Sequence, residues 1–459
     1  MRRALYAGIA TLALIGAAVA ADLPAKAPIL KAPPAPLYDW NGFYVGGYYG
    51  TSISHTRATS ALRPGAVDIN DGGISVGVAG GYNWQISPHW LVGIEGDFDW
   101  LGTKEKFNDF NDAARLASGV DTDWYATLRG RFGYVTGASL IYVTGGAAFT
   151  RVEETFGVTA APTALSSTRT GWTAGGGIET KLSKNWSVTT EYLYVDLGSN
   201  SFASNAASAA DAATFKTRAH VLKSGFNYKL DGGPFEMFPF FGTPFSSPER
   251  WAGFYAGATA GGGISLVKVP VVQPLPGEED INGTGFAGGG HVGYNWLVFS
   301  TWLVGVEGDV GYLGINHRFV DWGDSATFGV KTDWYGTVRG RVGSSTGPAF
   351  MYMTGGAAFG RVTNTFNSTV SATTPIGSTV ASVSGTHAGW TLGGGVETAL
   401  DTRWSARIEY LYLNLGNVSL DDPTAVGGPV HAEFKNRFQV VRAGVSYKFG
   451  GPDVVVAKY

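Results

Sequence analysis

The chain has 459 residues and a formal net charge of −3, with Lys+Arg 33 against Asp+Glu 36, so nothing in its charge points to a nucleic-acid partner. Cys is absent, which excludes a disulfide framework and a thiolate metal site. Gly 68 and 13% aromatic residues accompany only 15% charged residues, against about 25% in an ordinary soluble domain; such a composition is poor in helix formers and suits a pleated sheet.

Residues 1–20 carry Arg2 and Arg3, an uncharged run from Ala4, and Ala18-Val19-Ala20. A basic start, an apolar middle and a small-residue site predict a secretory signal that is removed, the alternative being an uncleaved anchor. No later segment offers the roughly 18 unbroken apolar residues of a membrane helix, so an exported chain that is not a helical membrane protein is expected. Residues 21–39 hold Pro24, Pro28, Pro33, Pro34 and Pro36 with Lys26 and Lys31, a composition that predicts an extended, solvated lead.

Beyond the lead, one unit is written twice. "WNGFYVGG" at 40–47 returns as "WAGFYAGA" at 251–258, and "GYNW" at 81–84 returns at 293–296. "WLVGIEGD" at 90–97, "YVTGGAAF" at 142–149, "GWTAGGGIET" at 171–180 and "EYLYVDLG" at 191–198 recur as "WLVGVEGD" at 302–309, "YMTGGAAF" at 352–359, "GWTLGGGVET" at 389–398 and "EYLYLNLG" at 409–416. The copies cover 40–230 and 251–450. A Pro- and Phe-rich linker, 231–250, joins them, and a tail, 451–459, follows.

Each copy contains eight segments that alternate apolar and polar residues, the strand signal. In the first copy they lie near 41–52, 74–86, 90–102, 121–136, 139–153, 168–182, 185–198 and 216–230. Short connections follow the even segments, and long polar ones such as 53–73, 199–215 and 361–388 follow the odd segments. Eight antiparallel strands with short turns at one end and long loops at the other predict a transmembrane β-barrel.

The strand faces point the same way. In 124–135, Trp124, Leu128, Phe132 and Tyr134 alternate with Tyr125, Thr127, Arg129 and Arg131. Across the strands one face collects Glu95, Asp97, Glu179 and Glu191 against Arg129, Arg131, Lys223 and Lys229. The second copy repeats this with Glu307, Asp309, Glu397 and Glu409 against Arg339, Arg341, Arg407, Arg442 and Lys448. Buried charges are tolerable only when paired, and a small membrane barrel is polar inside and apolar outside. These residues are therefore expected to line a lumen as a structural or pore-lining charge network, with the glycines leaving room for them. A soluble β-sandwich with a charged surface is the competing reading.

The ordered motifs "WNGFYVGG", "GYNW", "WLVGIEGD", "YVTGGAAF", "GWTAGGGIE", "EYLYVDLG" and a terminal "YKF" resemble the opacity-type small outer-membrane β-barrel family, related to the outer membrane protein A transmembrane domain. The resemblance covers about 40–230 and 251–450. It implies an all-β, antiparallel, eight-stranded barrel in the Gram-negative outer membrane, with lipid, lipopolysaccharide and the outer-membrane assembly machinery as partners and an unidentified surface ligand as a further one. It also implies structural or surface roles, with some relatives acting as adhesins or binding haem. The chain departs from the family by its duplication and by continuing past "YKF" to Tyr459.

Sixteen strands allow two narrow barrels or one sixteen-stranded pore. Two tandem barrels are expected, because each copy holds a complete charge set. No cofactor, metal or catalytic site is expected. "GTGFAG" at 283–288 matches a dinucleotide fingerprint only as a glycine-rich strand start. The seven histidines (His55, His89, His220, His291, His317, His387, His431) lack ligand spacing and are expected mostly in loops or at rims. Glu95 and Asp97 are expected to serve ion pairs rather than acid–base chemistry. The functions that remain are a structural and surface barrel with periplasmic termini, a passive porin, and a surface barrel capturing haem or a host component.

Overall fold

The computed structural model describes residues 38–60, 66–108, 116–158, 163–203, 212–230, 248–273, 277–281, 283–320, 326–345, 347–368, 379–422 and 430–450. The signal, most of the lead, most of the linker and the tail lie outside these residues.

The first copy forms strands β1 (Gly42–Ser60), β2 (Ala66–Gln85), β3 (Trp90–Asn108), β4 (Leu116–Thr136), β5 (Ser139–Val158), β6 (Thr163–Lys181), β7 (Trp186–Ala203) and β8 (Ala212–Leu230). Each pairs with its chain neighbour, and β1 pairs with β8 from Phe43↔Leu230 to Ser60↔Ala213, so the sheet closes. After a 3-10 turn (Pro248–Trp251), the second copy forms β9 (Gly253–Ser265), β10 (Val267–Gln273), β11 (Gly277–Ile281), β12 (Thr284–Leu297), β13 (Trp302–Leu313), β14 (Asn316–Val320), β15 (Ala326–Ser345), β16 (Ala349–Ser368), β17 (Thr379–Ala399), β18 (Trp404–Asp422) and β19 (Val430–Lys448). β19 pairs back onto β9, closing a second ring of eight. Two eight-stranded barrels form, not one sixteen-stranded pore.

Two sequence expectations need correction. Three walls of the second ring are interrupted: β10 continues β9 along β19, β11 pairs with β10, and β14 continues β13 along β15. Much of what reads as long loops is strand, since β1 and β2 remain paired out to Thr59↔Ala66, and β16 and β17 out to Ser368↔Thr379. A tilted strand crosses a bilayer in about 9–11 residues, so strands of 18–21 residues extend well past it. On β3 the outward Trp90 and Trp100 mark that crossing, as do Trp302 and Tyr312 on β13, all four exposed. Beyond these rings the alternation inverts: apolar residues such as Val120, Val152, Phe156 and Phe215 are buried inside, and polar ones such as Arg151 and Glu153 are exposed.

The "DLG" and "NLG" ends of the repeated motif have a local cause. Pairing of β7 with β8 slips between Asp196 and Ser199, and that of β18 with β19 between Asn414 and Asn417. At each bulge a glycine takes positive φ, +68° at Gly198 and +80° at Gly416. Its N–H donates to Oδ1 of Asp196 or Asn414, both at 2.9 Å. An L-residue is disfavoured in that backbone conformation.

Candidate functional site: a closed ion network in each lumen

Strand alternation places the charged side chains inside. On β4, Arg129 and Arg131 are 1% and 4% exposed, while Leu128 and Phe132, which flank the pair, are 54% and 46% exposed. In the first lumen the Arg129 guanidinium reaches three carboxylates: Nη2 lies 2.5 Å from Glu95 Oε1 and 2.6 Å from Asp97 Oδ2, and Nη1 lies 2.8 Å from Glu191 Oε1. Its Nε donates to Thr127 Oγ1 at 2.8 Å, and that hydroxyl donates to Asp97 Oδ1 at 2.8 Å. Arg131 bridges Glu179 at 3.1 Å and Glu95 at 3.5 Å, while Lys223 Nζ sits 2.8 Å from Asp97 Oδ2 and 3.5 Å from Asp99 Oδ2. Tyr44 and Tyr142 hydroxyls donate to Glu95 (2.6 Å) and Glu191 (3.0 Å).

The second lumen repeats the design with one more cation. Arg339 bonds Glu307, Asp309 at 2.8 Å and Glu409 at 2.9 Å. Arg341 joins Glu307 to Glu397 at 3.1 and 3.0 Å, Arg407 adds 2.7 Å to Glu307, and Arg442 joins Glu409 at 2.5 Å to Asp309 at 3.2 Å. Tyr255 and Tyr352 repeat the roles of Tyr44 and Tyr142, donating to Glu307 (2.8 Å) and Glu409 (3.0 Å). Glycine makes room for these tyrosines: a Cβ on Gly81 would lie 2.4 Å from the Tyr44 hydroxyl, and one on Gly293 would lie 2.3 Å from that of Tyr255.

Fifteen of the seventeen residues expected in the network are thus buried and joined. Lys229 and Lys448 are the exceptions. They share the inward register but sit at the short-turn mouth, where Lys229 pairs with Asp39 at 2.5 Å and Lys448 donates to the Glu249 carbonyl at 2.9 Å. Asp39 is held below its ordinary value: burial pushes it up, but the bond from Lys229 and those from Asn41 outweigh burial. Asp401, in the turn before β18, is also lowered, by the backbone N–H groups of Trp404 and Arg403.

Sequence reasoning missed Asp99, which shares the parity of Glu95 and Asp97 and is fully buried. With it, the first network sets five carboxylates against three cations, and the second sets four against four. The tyrosine donors were missed too, although "GFY" at 42–44 and 253–255 marks two of them. Nearer the long connections, Arg169 pairs with Glu154 at 2.8 Å inside the first barrel, and Asn364 and Asn436 exchange bonds of 3.0 and 3.1 Å inside the second. The histidines depart from expectation. Only His89 is in a turn; the other six lie on strands, and His291 is 3% exposed with Nε2 3.0 Å from Ser446 Oγ. The outer strand extensions absorb positions that read as loop.

Apolar side chains cap the networks at both ends. At the short-turn mouth Trp40 packs on Leu91, Val135 and Leu140, and Trp251 on Leu303 and Phe350. On the other side the first lumen narrows to Ala148, Val152, Leu193, Val195 and Val221, and the second to Ala358, Leu411, Leu413, Phe438 and Val440, all buried. Glu95, Asp97 and Glu191 converge within 4.8 Å, a spacing suited to a metal, but the Arg129 guanidinium that bonds all three serves as their counter-charge.

An antiparallel ring of eight strands, apolar and aromatic outside, with buried charge inside, defines a membrane-spanning β-barrel. The chain belongs to the family of outer membrane protein beta-barrel domains, whose pattern matches residues 10–229 and again 237–449. It is accordingly a protein of the bacterial outer membrane, in contact with the lipids of that membrane. The 31 kDa outer-membrane immunogenic protein of Brucella melitensis is 33% identical over 244 residues, which are 50% of this chain and 100% of the relative. The 22 kDa outer membrane protein of Rhizobium leguminosarum is 30% identical over 39% of this chain and 71% of its own length. A relative matched whole by half of this chain is what a tandem duplication requires. Among solved structures, Neisserial surface protein A aligns with TM-score 0.23 and 16% identity over 41% of this chain and 97% of its own, a likeness too distant to bear on function.

Proposed function

We propose that this chain is a structural and surface element of the outer membrane: two sealed barrels that stiffen the envelope and hold long connections outside it, with no catalytic role. The observation that carries this reading is the closure of both lumens by an aromatic cap, a buried ion network and an apolar layer. A porin needs a continuous wet path, and the buried Arg129 and Arg339 stand across it. Glu95 and Asp97, sealed from water and bound to Arg129, serve cohesion rather than acid–base chemistry. Lipopolysaccharide is the outer-leaflet partner that fits: Arg151 and its counterpart Arg361 are exposed, Arg151 pairs across strands with Trp124 and Arg361 lies opposite the bulge that holds the outward Trp334, and so both present cations near the outer aromatic ring. The outer-membrane insertion machinery is the assembly partner in this reading, supported by the chain's outer-membrane barrel family.

The test is solute permeation. Liposomes carrying the folded chain are expected to swell in small sugars no faster than empty ones, while loss of the gene is expected to sensitise the envelope to detergent. Rapid swelling with an unchanged envelope would overturn the reading.

A further inference from the structure

Some outward positions do not face lipid. Residues 187–191 are buried without a break, and so are their counterparts 405–409, 218 positions later. Strand alternation would expose every second one. The reason is contact between the barrels. Ile178 shares a packed cluster with Ala406 and Leu400. Val396, the counterpart of Ile178, shares another with Val188 and Leu182, the counterparts of Ala406 and Leu400. Each contact thus recurs with the roles of the copies exchanged. Between the two clusters Thr180 Oγ1 donates to Thr398 Oγ1 at 2.9 Å, and these residues are counterparts of each other. Ser139 also bonds the Thr398 hydroxyl, and its counterpart Ala349 packs with Leu182.

Reciprocal contact of one surface with itself is the mark of an isologous, twofold interface. We propose that the two repeats are joined through the same face about a pseudo-twofold axis at Thr180 and Thr398, so that each repeat carries a self-complementary membrane-embedded surface whose partner is another copy of the repeat. Its chemistry suits the setting. Lipid offers no water to expel, so close packing and hydroxyl pairs hold walls together there. The face is built from Ile178, Leu182, Val188, Ala349, Ala406 and the three hydroxyl residues, while the exposed belts carry Trp, Tyr and Phe. The linker raises the effective concentration of one copy about the other, and the face itself supplies the contact.

The chain has no cysteine, so introduced pairs report contact cleanly. A protease site is placed within 231–247 of the full chain and cut after folding. Ile178→Cys with Ala406→Cys, and separately Val188→Cys with Val396→Cys, are treated with a short bifunctional maleimide. Both pairs are expected to hold the two halves in one band on a denaturing gel. Linkage of one pair without the other, or linkage only between chains, overturns the twofold arrangement. If a cysteine variant does not fold, the cut wild-type chain still decides: its halves are expected to co-elute in mild detergent, and their separation overturns the proposal.

Discussion

Arg129→Ala deletes the group that holds three carboxylates within 2.5–2.8 Å in the first barrel. The truncated side chain leaves Glu95, Asp97 and Glu191 facing one another with only Arg131 and Lys223 nearby. Removing one partner of a buried ion pair costs about 3–5 kcal/mol. For a domain of this size each kcal/mol moves the thermal midpoint by about 2–4 °C, so the first barrel should melt roughly 6–20 °C earlier. Arg129→Lys keeps the charge but loses the fork that engages three acids at once, and its midpoint should fall between the two. The second barrel is the internal reference, since Arg339→Ala should act there and leave the first barrel alone. Thermal unfolding in detergent micelles, read by Trp fluorescence and by compact mobility on an unheated gel, measures all three. An Arg129→Ala midpoint equal to the wild type would refute the inward-facing network.

Asp99 is the carboxylate held least: its nearest cation atom is Lys223 Nζ at 3.5 Å, and the first network has more acids than bases. Asp99→Asn should leave the midpoint unchanged or raise it, whereas Asp97→Asn, which loses Arg129 and Lys223, should lower it; equal losses would contradict the assignment. Gly198→Val places an L-side chain at φ +68° and should cost about 1–2 kcal/mol in the first barrel, and Gly416→Val the same in the second; chemical unfolding with no loss at either would remove the bulge account. The Asp39 carboxyl lies below its ordinary value of 3.8, so its contact with Lys229 is in place above that value and is lost as pH falls through the lower one in the folded state. Emission from Trp40, taken as the difference from an Asp39→Asn variant, should stay constant from neutrality to mild acid and change only in strong acid. A change centred near neutrality would contradict it.

The faces of the strands were legible because a charge every second residue, as at Glu95 and Asp97 or Arg129 and Arg131, has one physical solution in a membrane wall. Lys229 and Lys448 follow the same parity, yet depth along the strand decides whether a lysine joins the network or closes the mouth, and parity carries no depth. The interruptions between β9 and β10 and between β13 and β14 fall where the inward face changes from charged to apolar, at Val267 and Val269 and at Leu313 and Ile315, and the period-two pattern does not mark such a break. Ile178 and Val188 were illegible as contact residues for a different reason: an aliphatic side chain meeting lipid and one meeting another barrel have the same character in sequence.

Single-channel recording of the folded, full chain in a planar bilayer tests the sealed lumens most directly. Rare, small or absent steps are predicted, with Arg129→Ala and Arg339→Ala raising their frequency. Large, stable steps in the wild type would mean that a wet path runs through the barrels, and the account of two closed lumens would be wrong.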